Sequence, residues 1–230
     1  MTYKIIMEKF DYKVGDIIIK HKKFYEPRHM MIVIDVRPKK QEVVVSHLTY
    51  GGLQLYTFHK NKSAIVKDDP NQKVIRWKGS KKIIKRLLDV IKKLHTFEHK
   101  IEYNRAATVS SFFTPCYTRD NIKINNGNLE KLFIESELFC SNYVTLVWKY
   151  VLEEFNLDDI SFPMNPFSCY PEQVYDVLST IPTYWDIFLL KTSRTMEYRL
   201  GPKKTKSPKK TTKSPKKTTK SPKKTKTNHK

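Results

Sequence analysis

Short runs of β-branched and aromatic residues at 16–20, 29–36, 42–47, 53–58 and 73–77 alternate with polar clusters, which is the pattern of buried or half-buried strands. Turn-forming residues at 37–40 and the pair Gly51 and Gly52 separate the runs. With connections this short, the simplest arrangement is an antiparallel meander, open or curled into a small barrel. From Lys81 the period changes. Ile83, Ile84, Leu87, Leu88, Ile91 and Leu94 recur at three and four, with Lys81, Lys82, Lys85, Arg86, Lys92 and Lys93 on the opposite side, predicting a basic amphipathic helix. That lysine face reads first as solvated surface over a core stripe and second as an anion-binding face.

A second helix is predicted over 140–155, where Val144, Val147 and Val151 share a side with Cys140 and the closing Glu153 and Glu154 oppose the helix dipole. A third follows Pro171 through Val174, Val177 and Leu178, since proline is tolerated in a first turn. Residues 184–191 read as a returning strand. Strands first, then helices, then one late strand make an α+β domain rather than an alternating α/β one.

Composition separates the last thirty residues from the rest. Of the net charge of +21 over 230 residues, 201–230 carry +13 from thirteen lysines and no acid, leaving +8 on residues 1–200. A domain over 1–200 and a disordered tail over 201–230 follow. In the tail, Lys206, Ser207, Pro208, Lys209, Lys210, Thr211 and Thr212 begin a period of seven that restarts at Lys213 and Lys220. Proline every seventh residue and dense like charge prevent a packed helix or strand. The pairs Lys209 and Lys210, Lys216 and Lys217, and Lys223 and Lys224 are suited to non-specific phosphate contacts through counterion release. With no Phe, Tyr or Trp in 201–230, base stacking on such rings is not available to the tail. A solubilising tail, or one read by an import receptor, is the alternative. The Ser-Pro-Lys-Lys repeats resemble those of histone tails, and Ser207, Ser214 and Ser221 resemble proline-directed phosphorylation sites.

Charged residues at Lys4, Glu8 and Lys9 break any apolar leader, and no apolar run approaches membrane-spanning length, so an intracellular, non-secreted protein is expected. Three cysteines without C-x-x-C spacing argue against a disulfide framework and a thiolate zinc site, and no cofactor or metal is called for.

Thiol catalysis needs a cysteine with a stabilised thiolate, a histidine to exchange the proton and a polar group to orient the ring. His29 opens one strand and His47 closes the next, where antiparallel pairing can set them side by side. Cys140 stands where the polar Ser141 and Asn142 give way to helical apolar spacing. If a helix starts there, its free N–H groups and positive dipole end would lower the thiol pKa and bind an oxyanion. The alternative is one continuous helix through 128–155, which holds no Pro or Gly, with Cys140 an inert core thiol. Cys169, also ahead of a helix, is a rival nucleophile; Cys116 reads as structural, and His21, His59 and His95 as surface residues.

Val14, Gly15 and Asp16, the His29 strand, the His47 strand with Gly51 and Gly52 behind it, and Phe139, Cys140, Ser141, Asn142, Tyr143 and Val144 together resemble the circularly permuted, papain-like branch of the NlpC superfamily, which includes lecithin retinol acyltransferase. The likeness spans roughly residues 14–155. It implies a permuted papain-like fold, an antiparallel sheet or small barrel packed against helices. It also implies Cys140 as nucleophile, His29 as acid/base and His47 as the orienting residue, acting on an acyl or peptide substrate. With the Lys, Ile, Tyr and Asn content it suggests a large DNA virus as source, and hence a virion or viral-factory location. A non-enzymatic nucleic-acid-binding or packaging protein with a degenerate papain-like domain is the competing expectation.

Overall fold

The computed structural model describes residues 4–6, 10–20, 29–59, 72–104, 124, 129–136 and 138–190. Seven strands form one sheet: β1 (Lys4–Ile6), β2 (Ile17–Lys20), β3 (His29–Arg37), β4 (Glu42–Thr49), β5 (Gly52–His59), β6 (Gln72–Trp77) and β7 (Trp185–Leu190). Their spatial order is β1-β7-β6-β2-β3-β4-β5, antiparallel throughout except for β1, which pairs with β7 in parallel. The expected meander holds for β2 to β5. The fifth run departs from it: β6 lies against β2, with Ile17 opposite Ile75, and β7 then adds to its other side. β5 ends at His59 and β6 begins at Gln72, and strand periodicity cannot register with which earlier strand a later run pairs.

Alternation divides the sheet into two faces. One carries Ile18, Met31, Val33, Val43, Val45, Val74 and Phe188 and is lined by Tyr12. The rings of Phe58 and Tyr12 lie 5.8 Å apart, those of Tyr12 and Phe10 4.9 Å, and those of Phe10 and Phe188 5.0 Å. This chain of rings links β5 to β7, so the sheet curls around it. The other face, with Ile17, Ile19, Met30, Ile32, Ile75 and Trp77, meets the helices.

Those helices are α1 (Lys81–His95), α2 (Leu129–Glu135), α3 (Cys140–Glu153), α4 (Asp158–Ser161) and α5 (Pro171–Ser179). Helix α1 starts at Ser80, whose side chain accepts from the Lys82 amide at 3.1 Å. It buries Ile83, Leu87, Val90, Ile91 and Leu94, at about 1.5–3 kcal/mol for each side chain removed from water. Helix α3 is buried on every side from Cys140 to Leu152, as expected of a central helix. Its last turn keeps acids because each is satisfied: Glu153 accepts the Ile124 amide at 2.8 Å, and Glu154 takes both the Nε and an Nη of Arg86 at 2.6 Å.

Gly15 sits at φ +89°, where a Cβ would lie 2.5 Å from Ile84 Cδ1, so the turn into β2 requires glycine. Asp16 next to it is buried and accepts Arg76 Nε at 2.8 Å, an Arg76 Nη at 2.7 Å and the Lys13 amide at 2.8 Å. This buried pair ties the β2 turn to β6. The Gly-Asp signature thus serves the scaffold.

Candidate active site

The helix containing Cys140 begins at that residue. Phe139 is extended at φ −126° and ψ −179°, and α2 ends at Glu135, so the continuous-helix alternative does not hold. The polar pair after the cysteine explains the local placement. Ser141 Oγ donates to the Cys169 carbonyl at 2.6 Å and Asn142 Nδ2 to the Pro166 carbonyl at 2.9 Å, fastening the first turn of α3 to the loop over 165–169.

His29 and His47 are brought together. His29 Nε2 lies 2.7 Å from His47 Nδ1, with the rings edge to face and their centroids 5.0 Å apart. One proton sits between those nitrogens. When His29 Nε2–H donates to His47 Nδ1, the lone pair on His29 Nδ1 is left as a base. Burial pushes the His47 imidazole down to about 4, so at neutral pH it is uncharged and suited to accepting that bond.

The backbone amides of Met30, one residue from His29, of Ser141 and of Cys140 itself act on the Cys140 thiol in favour of its thiolate. The Met30 N–H is open because the β3–β4 pairing runs from Arg37 and Glu42 only as far as Ile32 and Ser46. One pair further on, it would serve Leu48. Strand alternation puts His29 and His47 on the curled face with Met31, Val33 and Val45, whereas Met30, Ser46 and Leu48 look toward α3. Thiol and imidazoles therefore approach the opened end of β3 from its two sides.

The expected low thiol pKa is overturned. Cys140 is 3% exposed, and burial pushes the thiol up to about 11 despite the three amides that favour the thiolate. At neutral pH the Cys140 thiol and the His47 imidazole are both uncharged. Cys169 is held in a disulfide, which removes the rival nucleophile; cysteine spacing, read as evidence against a disulfide framework, gave no sign of this single bond. Spacing in sequence gives no measure of the distance that decides pairing.

A second polar constellation lies on the helix side of β4. Ser46 Oγ is 2.6 Å from Tyr143 Oη and 2.9 Å from His95 Nε2, and His95 Nδ1 is 2.6 Å from Glu98 Oε2. His95 is thus not the surface residue its lysine-rich surroundings suggested: its side chain is 12% exposed and joins the end of α1 to β4. Ser46 carried no signal in the sequence beyond being a polar residue at an inward position of an apolar strand.

His21, Cys116, the side chain of His59 and the whole tail, including Lys209, Lys210, Lys216, Lys217, Lys223, Lys224, Ser207, Ser214 and Ser221, lie outside the described residues. Among the described residues no helix is long and apolar enough to cross a membrane. No family model, curated protein or solved structure matches the chain.

Proposed function

We propose that the protein is a cysteine-dependent hydrolase or acyltransferase with a permuted papain-like domain, acting on an amide, ester or thioester through an acyl-enzyme at Cys140. The observation that carries this is the hydrogen-bonded His29–His47 pair at the end of β3, next to Met30, whose amide is among those that favour a thiolate on Cys140 at the first residue of α3. In the first step the thiol proton passes to His29 Nδ1 as sulfur bonds to the carbonyl carbon. His47 accepts from His29 Nε2–H and stabilises the imidazolium so formed. The N–H groups at the start of α3 favour negative charge on sulfur and oxygen. His29 then protonates the leaving group, and water or another acceptor releases the acyl group from sulfur, its proton returning through the same ring. Since the thiol rests protonated, sulfur becomes nucleophilic only as it loses its proton during attack.

The buried, raised thiol favours a second reading, a non-enzymatic protein whose papain-like domain serves as an interaction module. Incubation of the purified chain with p-nitrophenyl acetate, followed by peptide mass spectrometry, separates the two. The enzyme reading expects an acyl adduct on Cys140 that Cys140→Ala lacks and His29→Ala forms far more slowly. Turnover surviving in Cys140→Ala overturns the assignment, and the absence of any adduct in the unaltered chain favours the second reading. We further propose that the tail over 201–230 supplies non-specific nucleic-acid association, tuned by phosphorylation at Ser207, Ser214 and Ser221, which would remove about 1.5 to 2 charges each. An intracellular location, in a virion or viral factory for a viral source, belongs to the same proposal.

A further inference from the structure

Helix α1 presents a second basic surface, within the folded part of the chain. Lys81, Lys82, Lys85, Lys92 and Lys93 are all exposed, and none has an ion pair among the described residues; Lys82 Nζ lies 5.6 Å from the Phe155 ring centroid. Arg86 on the same side is neutralised by Glu154, Asp89 is the one acid of the helix itself, and Glu130 of α2, paired with Lys100, lies near enough to Lys93 to feel its charge. At about 100° per residue, Lys81, Lys85 and Lys92 fall within about 40° of arc, and Lys82 and Lys93 form a second column about 90° further round. At 1.5 Å per residue the first column is about 16 Å long.

The apolar side of this helix is committed to the core through Ile83, Leu87, Val90, Ile91 and Leu94, so it cannot insert into a lipid surface as a peripheral amphipathic helix does. The exposed large hydrophobic residues Tyr50, Leu55, Tyr56, Ile160 and Phe167 all lie elsewhere. A partner must therefore be recognised by charge alone, without apolar contact or base stacking. A helix with its side chains is about 10–12 Å across, and the major groove of a duplex is about 12 Å wide, so two lysine columns on diverging sides can reach the phosphates of both walls.

We propose that the exposed lysine face of α1 is a contact surface for the phosphate backbone of duplex nucleic acid, sequence-blind and separate from the tail. This does not rest on the thiol chemistry. The test measures binding of the full chain to a fluorescent DNA duplex across a salt series. It compares the unaltered protein with the triple variant Lys81→Gln, Lys85→Gln, Lys92→Gln and with a control, Lys39→Gln, Lys40→Gln, altered at exposed lysines after β3. Each phosphate deprived of its lysine lowers the slope of log K against log salt by about 0.9, so the triple variant is expected to lose about 2.7 from the slope and the control nothing. An unchanged slope in the triple variant, with its circular dichroism intact, overturns the proposal, as does an equal loss in the control. Loss of binding to phosphatidylserine vesicles in the triple variant with duplex binding unmoved reassigns the face to membranes and also overturns it.

Discussion

Two side chains at the candidate site titrate away from their ordinary values for the same reason, loss of water, and each shift has its own signature. His47 is held neutral down to about pH 4, whereas in the unfolded chain it takes a proton near 6.5. Between those values the unfolded state binds the extra proton, so stability falls as the pH drops from about 6.5 to about 4 and is affected no further below that. The slope is at most about 1.4 kcal/mol per pH unit, reduced by the water that reaches the half-buried ring. Urea midpoints at pH 7, 5.5 and 4.5 are expected to decline more steeply in the unaltered protein than in His47→Asn; parallel declines would remove His47 as the group responsible. Cys140, raised to about 11, stands well above the ordinary thiol value of 9.0. Native alkylation by iodoacetamide at pH 7–8 is accordingly expected to be about a hundredfold slower than that of an exposed thiol, and equal after unfolding. A native rate with a plateau near pH 6 would instead signal a preformed thiolate.

Where elements meet, the polar links bridge segments that are remote in the chain, and Ser46 is the clearest case. Its hydroxyl joins β4 to α3 through Tyr143 and to α1 through His95, and it stands next to His47 on the strand that positions the histidine pair. Ser46→Ala leaves both the Tyr143 hydroxyl and His95 Nε2 without that partner inside the protein, at about 1–3 kcal/mol for a buried orphan. The expected loss is about 2 kcal/mol by urea denaturation, and Tyr143→Phe, which leaves the Ser46–His95 contact in place, is expected to cost about 1 kcal/mol. A neutral Ser46→Ala would show that the network carries no stability. Periodicity made α1 and β2 to β5 legible, because each is stabilised by its own apolar face, and it put the start of α3 within one residue. The placement of β6 beside β2 and the Ser46–His95 contact were not legible: they join residues about 50 apart or more by side-chain chemistry with no periodic signature. The His29–His47 contact was legible because it spans one hairpin.

On the scale of the whole molecule, the stabilising apolar contacts and the electrostatic excess lie in different parts of the sequence. Among the described residues both apolar clusters draw on residues between Phe10 and Leu190. Most of the positive charge lies beyond them: residues 201–230 hold +13 of the +21. Residues 201–230 hold no Ala, Val, Ile, Leu, Met, Phe, Tyr, Trp or Cys, so they have no apolar side chain to give a core, and their deletion is expected to leave the thermal midpoint and Cys140 acylation unchanged. Nucleic-acid affinity should respond instead through the salt slope, since every phosphate that a tail lysine neutralises adds about 0.9 to it. The α1 lysines predict that the slope falls without vanishing, because five cations remain on a rigid scaffold. Fluorescence titrations of the truncated and full chains against one duplex across a salt series measure both contributions. An unchanged slope after truncation would exclude the tail from binding. A slope of zero would assign all of the binding to the tail and leave the helix face a solvated surface.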